Sequence, residues 1–493
     1  MKRINQILKF LDIQTLSQNN FQIESLSLDS RKCDAKSAFI ALKGLSNDGN
    51  KYIDSVLAKG TKLILSDKLP RQSSIATSSV AEGELPNIFY VENLKEKLSS
   101  LAKWFYDYKK PQNIIGITGT NGKTSISSYI AQLQKLIGQK SLLLGTNGNG
   151  IYPDLQESTH TTLDILSLYQ TISYYKNYQN LVMEVSSHSL DQKRTEGLDF
   201  DIAVFSNLSH DHLDYHKTMD NYFEAKAKLF QFKSLKKAVI NIDDEYGLKL
   251  CKVSNCEIVT VSLKSKNADI YIDSKSIKNM QTSFDLYISQ KYMGTYQTSL
   301  VGEFNLMNLG LSLATLDDSS TREQLLENIS KLKPVKGRME VIALANDAKI
   351  IIDYAHTPDA LEKALQTLVN YHPNNLWCIF GCGGNRDATK RPLMAQIAEE
   401  YANKIVVTED NNRFESIESI FDDIKKGFSH PDKHTFIDSR EEAIKYTIEN
   451  SKANDVILLA GKGHECYLDK NGTKEYFDER EVIAKYKNTT PST

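Results

Sequence analysis

The nonapeptide Gly116-Ile-Thr-Gly-Thr-Asn-Gly-Lys-Thr124 constrains this chain more than any other stretch. It closes an apolar, β-branched run, Asn113-Ile-Ile-Gly-Ile-Thr118, that reads as a buried strand. It precedes Ser125-Ile-Ser-Ser-Tyr-Ile-Ala-Gln-Leu-Gln-Lys-Leu-Ile137, whose apolar spacing is helical and which stops at Gly138. Strand, glycine turn, lysine, hydroxyl and helix, in that order, cradle a phosphate. Gly119 and Gly122 let backbone N–H groups close on phosphate oxygens, and the helix N-terminus favours their charge. Lys123 can reach the β/γ-phosphates and Thr124 can ligate Mg²⁺. Ile117 stands where the usual pattern has glycine, so the loop is a shortened variant. The chain therefore reads as an ATP user, with Thr120 and Asn121 completing the loop.

A length of 493 residues suggests about three domains. The net charge of −2 gives no basic field for nucleic acid. The N-terminus has no signal-peptide core, and no apolar run is long enough to span a bilayer. Six cysteines without a Cys-x-x-Cys pair point to reduced thiols and a cytoplasmic protein. Cys378 and Cys382 read as buried structural thiols.

Residues 1–94 mix short strands and helices around Leu28-Asp-Ser-Arg31 and Ala38-Phe-Ile-Ala-Leu-Lys-Gly44. The stretch 94–108 reads as a connecting helix. Strands then alternate with helices, at 114–118, 141–144, 181–185, 202–205 and 238–242, which argues for a mostly parallel sheet. From 268 to 300 the pattern turns to period two, an antiparallel extension. It breaks near Lys333-Pro-Val-Lys-Gly337, where a hinge is placed. A second α/β unit follows, with strands at 349–353, 376–380, 404–408, 434–437 and 455–459. Its first helix is marked by Thr357 as N-cap, Pro358 at the first helical position and Asp359 in the first turn. The expected fold is α/β in three domains, 1–94, 95–334 and 335–493.

Each strand of the second unit ends in polar or glycine residues: Asp353-Tyr-Ala-His356, Gly381-Cys-Gly-Gly-Asn-Arg386, Asp410-Asn-Asn-Arg413 and Gly461-Lys-Gly-His-Glu465. Open α/β sheets bind ligands at such ends. In the central unit, Glu184 ends an apolar strand and suits Mg²⁺ as a hard oxygen donor. The stretch Ser206-Asn-Leu-Ser-His-Asp-His-Leu-Asp-Tyr-His216 carries three histidines and two aspartates. Zinc is one reading; beside an ATP loop Mg²⁺ is favoured, with His212 an atypical nitrogen ligand. Lys226 lies on a helix, where a lysine is ordinarily a solvated charge.

Together these residues resemble the Mur ligase family, ATP-dependent ligases that add amino acids in peptidoglycan synthesis. Gly119-Thr-Asn-Gly-Lys-Thr124 is similar to its ATP loop. Glu184-Val-Ser-Ser-His188 and Asn207-Leu-Ser-His-Asp-His-Leu-Asp214 are similar to its metal motifs, and Tyr222-x-x-Ala-Lys226 to the motif whose lysine is carbamylated. Gly302-x-Phe-Asn-x-x-Asn308, Gly337-Arg-Met-Glu340 and Asp353-Tyr-Ala-His-Thr-Pro358 are similar to its nucleotide-side motifs. The resemblance implies a UDP-binding domain, a central ATPase domain and a C-terminal Rossmann-like domain for the incoming amino acid. It implies addition of the third stem-peptide residue to UDP-N-acetylmuramoyl-L-alanyl-D-glutamate through an acyl phosphate, by a monomer.

Residue by residue, the resemblance gives Lys123, Lys226 and His212 catalytic positions, and Thr124, Glu184, His212 and carbamylated Lys226 the metal. Asn305, Arg338 and His356 match ATP-side positions. Leu28, Ser30, Ser46 and Asn47 match uridine-side contacts. Thr161, Thr162, Ser186, Gln192 and Arg194 match contacts to the muramoyl-dipeptide. Arg386, Asp410, Asn411, Asn412, Arg413, Gly461 and Glu465 match the pocket for meso-diaminopimelate.

The resemblance implies that Arg413 selects the amino acid, because the family's diaminopimelate-adding members carry this arginine and its lysine-adding members lack it. Diaminopimelate exceeds lysine by a carboxylate, which a guanidinium meets bidentately, while Asp410 faces an ammonium. The family has proline where Asn412 stands, and proline would stiffen the loop. A lysine-adding enzyme of the same family is the alternative. A folylpolyglutamate synthase shares the ATP loop, a non-catalytic nucleotide scaffold would have lost the lysines or metal residues, and an NAD enzyme is opposed by the glycine spacing at 381–384. Because the motifs lie on three domains, closure about a hinge near Pro334 is expected to complete the site.

Overall fold

The run Ile114–Ile117 is buried throughout, and its strand becomes an interior strand of the largest sheet. The computed structural model describes residues 1–14, 17, 19–44, 47–69, 87–158, 160–278 and 280–487. The P-loop strand Asn113–Thr118 lies between Asn180–Glu184 and Ile202–Phe205, parallel to both. On one side the sheet continues through Ser141–Gly145 to Gly148–Ile151, and on the other through Lys237–Asn241 and Glu257–Ser262. Ile270–Lys278, Gln281–Ile288 and Lys291–Thr298 extend it as the period-two pattern predicts, the last two pairings antiparallel. Register sets Glu184 opposite Ile117 and Phe205 opposite Thr118, so the loops after both strands flank the phosphate loop.

The third sheet runs Glu340–Ala343, Lys349–Asp353, Val456–Ala460, Leu376–Phe380, Lys404–Val407, Thr435–Phe436. All its pairings are parallel except the first. The polar strand-end clusters at 353–356, 381–386, 410–413 and 461–465 therefore share one edge. The smaller sheet near the N-terminus pairs Ser25–Ser27, Ser37–Ala41, Leu63–Ser66 and Asn87–Tyr90 in parallel.

Helix Leu94–Phe105 joins the first two sheets. Its buried residues Leu94, Leu98, Leu101, Ala102 and Phe105 repeat at helical spacing. They sit in one hydrophobic core that runs unbroken from Ile4, Ile40 and Leu65 to Ile114, Phe200 and Leu250. The third sheet has its own core, which reaches the central unit through Met280 and Val301. Between them, Lys333 exchanges two hydrogen bonds with Gln132 of the P-loop helix.

Helix Lys123–Leu136 starts at the phosphate-loop lysine itself. In helix Pro358–Val369, Thr357 Oγ1 accepts from Ala360 N, and proline occupies the first turn. Strands Glu257–Ser262, Gly148–Ile151 and Glu340–Ala343 and the ribbon Tyr467–Lys470/Thr473–Tyr476 were not expected. Two glycines in Gly148–Ile151 and four exposed residues in Thr473–Tyr476 hide any strand signal, and tertiary pairing overrides propensity there. Among the described residues no helix is long and apolar enough to cross a membrane.

Candidate active site

Two glycines shape the phosphate loop. Gly119 has φ +151°, and a methyl group there would stand 1.9 Å from Ser206 Oγ; at Gly122, φ +89°, it would stand 2.6 Å from Asn308 Oδ1. The loop is braced from the next strand end, Thr120 N donating to Asn207 O at 2.8 Å and Asn121 N to Asn207 Oδ1 at 3.0 Å. Lys123 folds over the loop, donating to the carbonyls of Gly119 and Thr120, each at 2.8 Å. Burial lowers its pKa, and Glu184 and Asp211 oppose that shift.

Glu184 is 1% exposed and gathers three donors. Thr124 Oγ1 reaches Oε2 at 3.0 Å, Thr146 N reaches Oε1 at 2.8 Å, and Thr146 Oγ1 reaches Oε2 at 3.1 Å. Lys226 is not the solvated charge that a helical lysine ordinarily is; it is 1% exposed. Helix Met219–Ala227 buries Tyr222, Phe223 and residues 225–227, which carries Lys226 beneath the phosphate loop. Its Nζ donates to Gly119 O at 2.9 Å, the carbonyl that also serves Lys123. Burial, reinforced by Lys123, holds the pKa of Lys226 well below the ordinary lysine range.

His212 and His216 are both pushed down to about 4, chiefly by burial, and are neutral imidazoles at pH 7. His212 packs edge-on against His188, ring centres 5.0 Å apart. His216 Nε2 meets Ser187 Oγ at 2.9 Å. Among the described residues no three His, Cys, Asp or Glu side chains converge as a metal-holding group. Thr124 and Glu184 offer paired oxygens instead, the donor chemistry of Mg²⁺.

Beside Glu184, Thr162 Oγ1 donates to Glu184 O and accepts from Ser186 N. Arg194 reaches Thr162 O and forks onto Gln192 Oε1, and Thr161 Oγ1 accepts from Thr146. Thr161, Thr162, Ser186, Gln192 and Arg194 thus form one contiguous face. Arg194 and, from the first unit, Arg31 and Lys32 all act electrostatically on His160, so the 29–32 turn lies near that face. Leu28 packs against the shared core, and Ser30 opens the short helix after it. Asn47 is exposed and bonded to Tyr52; Ser46 lies outside the described residues.

In the third unit, Arg338 lies 4.6 Å over the Tyr354 ring, and its Nε is buried without a hydrogen-bond partner among the described residues. The His356 ring lies 4.5 Å from the same ring, tilted by 52°, with Nδ1 2.8 Å from Tyr354 O. Burial and Lys390 lower its pKa. Asn305 turns into the core instead, where Tyr129 and Asn308 donate to its Oδ1.

The loop 410–413 gathers most of the expected amino-acid pocket. Asn411 Nδ2 donates to Glu465 Oε2 at 2.9 Å, and Asp410 Oδ2 lies beside Gly461. Arg413 donates to the carbonyls of Gly384 and Asn411, with Asp469 at 3.9 Å. Asn412 does not leave this loop loose. The ribbon clamps it, Arg413 N donating to Asp469 O and Asn471 N to Arg413 O, with Arg413 at φ +53°. Arg386 is exposed, apart from this network.

Comparison with known proteins agrees with this arrangement. Residues 22–107 match the Mur ligase family catalytic domain, 117–316 the Mur ligase middle domain and 337–463 the Mur ligase glutamate ligase domain. A UDP-N-acetylmuramoyl-L-alanyl-D-glutamate–2,6-diaminopimelate ligase of Haemophilus influenzae is 40% identical over 496 residues, covering 98% of this chain and 99% of that one. The chain belongs to the Mur ligase family. The ligase of the same name from Pseudomonas aeruginosa is 40% identical over 94% of this chain and 95% of its own. A solved structure of a ligase so named superposes with TM-score 0.64 at 37% identity, over 97% and 98% of the two chains.

Within this Mur ligase, sequence reasoning passed over four side chains that the site uses. Thr146 follows the strand Ser141–Gly145, a position as telling as that of Glu184. Asn308 was quoted in a motif but given no contact. Asp359 was read only as a first-turn acid, yet its Oδ2 accepts from Asn121 and Ser209, each at 3.2 Å. Lys462, between two glycines at a strand end, is fully buried amid the pocket's acceptors.

Proposed function

We propose that this Mur ligase joins meso-diaminopimelate to UDP-N-acetylmuramoyl-L-alanyl-D-glutamate, driven by ATP, in peptidoglycan precursor synthesis. One observation carries the choice of amino acid. A single loop fixes Asp410 and Arg413, opposite charges for the ammonium and the extra carboxylate of diaminopimelate. The names of the 40%-identical relatives support it.

The units 1–94, 95–334 and 335–493 would take the UDP moiety, ATP and the amino acid. Leu28, Ser30, Ser46 and Asn47 would meet the uridine side, and the Thr161–Arg194 face the muramoyl-dipeptide. The γ-phosphoryl group of ATP passes to the γ-carboxylate of the D-glutamyl residue, releasing ADP and forming an acyl phosphate. The amine of diaminopimelate attacks that carbonyl, loses a proton, and the tetrahedral intermediate expels phosphate. Two anions must meet, so positioning and charge neutralisation do the catalysis. Lys123 would move from its loop carbonyls to the β/γ-phosphates. Arg338, His356 and, more remotely, Asn305 would serve the nucleotide.

Mg²⁺, when bound, would supply further positive charge at the phosphates. Thr124 and Glu184 fit one ion, and His212 with Lys226 as N6-carboxylysine would fit another. Reaction with CO₂ needs the unprotonated amine, and burial lowers the pKa of Lys226 in that direction. Six free cysteines accord with a reducing, cytoplasmic setting.

The deciding measurement is phosphate release from ATP, Mg²⁺ and the UDP-linked dipeptide, with diaminopimelate or L-lysine. Release with diaminopimelate alone supports the proposal. Release with lysine alone makes it the lysine-adding ligase. Silence with both, and ADP release with reduced folate plus glutamate, would replace it with folylpolyglutamate synthesis.

A further inference from the structure

Lys462 follows the strand Val456–Ala460 and has a fully buried side chain. Its ammonium has three acceptors: Glu465 Oε2 at 3.2 Å, Asn411 Oδ1 at 3.3 Å and Asp410 Oδ1 at 3.4 Å. They belong to the two loops that hold the incoming amino acid under the proposed function. Each carboxylate spends one oxygen on Lys462. Asp410 Oδ2 receives no hydrogen bond from the described residues and lies beside Gly461. Glu465 Oε1 has the Tyr467 hydroxyl at 3.4 Å.

Stability alone does not account for this cluster, since a buried ion pair is often matched or bettered by well-packed apolar residues. Charge balance does. Two carboxylates less one ammonium leave a single negative charge, which is what one ligand ammonium requires. Arg413 stands apart from this group for the ligand's carboxylate.

We propose that Lys462 is a positioning residue of the amino-acid pocket, spacing Asp410 and Glu465 so that their remaining oxygens receive the ammonium of the incoming amino acid. This role rests on the pocket assigned under the proposed function. Burial presses Asp410 toward the neutral acid, but Lys462 and then Arg440 outweigh it and hold its pKa below the usual range. Glu409, Glu465, Tyr354 and Cys382 also face this group. Loss of Lys462 would let Asp410 take up a proton at higher pH.

The test uses the full chain and initial rates with diaminopimelate. In Lys462→Met, KM for diaminopimelate rises roughly tenfold or more, while kcat and KM for ATP move much less. The acid limb of kcat/KM shifts to higher pH, and Lys462→Arg recovers most of the loss. Should Lys462→Met show no ADP-dependent rise in Tm, Lys462→Gln carries the same readouts. An unchanged KM and pH profile in the folded variant overturns the role. Asp410→Asn separates the causes: if it alone raises KM, the pocket stands and only the role of Lys462 falls; if neither does, the pocket assignment falls too.

Discussion

Asp359 Oδ2 accepts a hydrogen bond from Asn121 Nδ2 at 3.2 Å, so the first turn of a third-unit helix rests directly on the phosphate loop. The same oxygen takes Ser209 Oγ, and Lys363 flanks the other oxygen at 2.8 Å. A carboxylate thus bridges the phosphate loop and the unit that carries the proposed amino-acid pocket.

Removing that bridge loosens closure. Asp359→Ala is expected to lower kcat by roughly 10–100-fold, the scale of a small misplacement of reacting groups. Small-angle scattering should show a larger radius of gyration for the variant. An unchanged radius with wild-type kcat rules the bridge out.

Lys226→Ala is expected to lose activity by about 10³-fold, as when a principal charge-stabilising group is removed. Short carboxylates added to this variant should restore part of it. Independently, ¹³C-bicarbonate should give a carbamate resonance in the wild type that the variant lacks. A variant active without added carboxylate sinks the carbamate role.

Arg413→Ala should cut kcat/KM for diaminopimelate by about 10–100-fold, the worth of a charged hydrogen-bond pair of ~1.5–3 kcal/mol. The rate with L-lysine should change far less. Equal losses with both would mean that Arg413 shapes the loop and does not select the substrate.

Asp353 makes a stability prediction. Burial raises its pKa from 3.8 to about 6, despite Arg338 and the hydrogen bond from Met339 N. The unfolded chain therefore gives up this proton more readily. Its stabilising contribution is complete below pH 3.8 and is lost as pH rises through about 6. Asp353→Asn should melt roughly 2–4 °C higher than wild type at pH 8, with the gain vanishing below about pH 4. Thermal unfolding at both pH values checks the sign.

Local signals were readable where they act locally. Thr357 and Pro358 announced their helix, and the β-branched run before Gly119 announced its strand. Lys226 was not readable from its own helix, because its burial depends on Gly119, 107 residues away. Lys462 lay hidden for the same reason: two of its acceptors come from 51 and 52 residues upstream. The clamp on Arg413 comes from the short strand Tyr467–Lys470, in which Leu468 alone is buried, and from Asn471 beyond it, too little apolar alternation to reveal a strand. The proline-to-asparagine departure at 412 therefore looked more consequential in sequence than in three dimensions.

The unbroken core beneath the first two sheets also sets how this chain can be recombined. A graft of residues 1–94 from a relative must match Leu101, Phe105 and Phe200 at once, because no polar seam separates donor from host. The stretch at 333–337 is crossed by apolar packing too: Val335 sits in the central core, and Met280 and Val301 sit in the core of the third sheet. Swapping the part after it must match Met280, Val301 and Val335, and it would exchange Arg338 and His356 of the proposed nucleotide side together with the proposed amino-acid pocket.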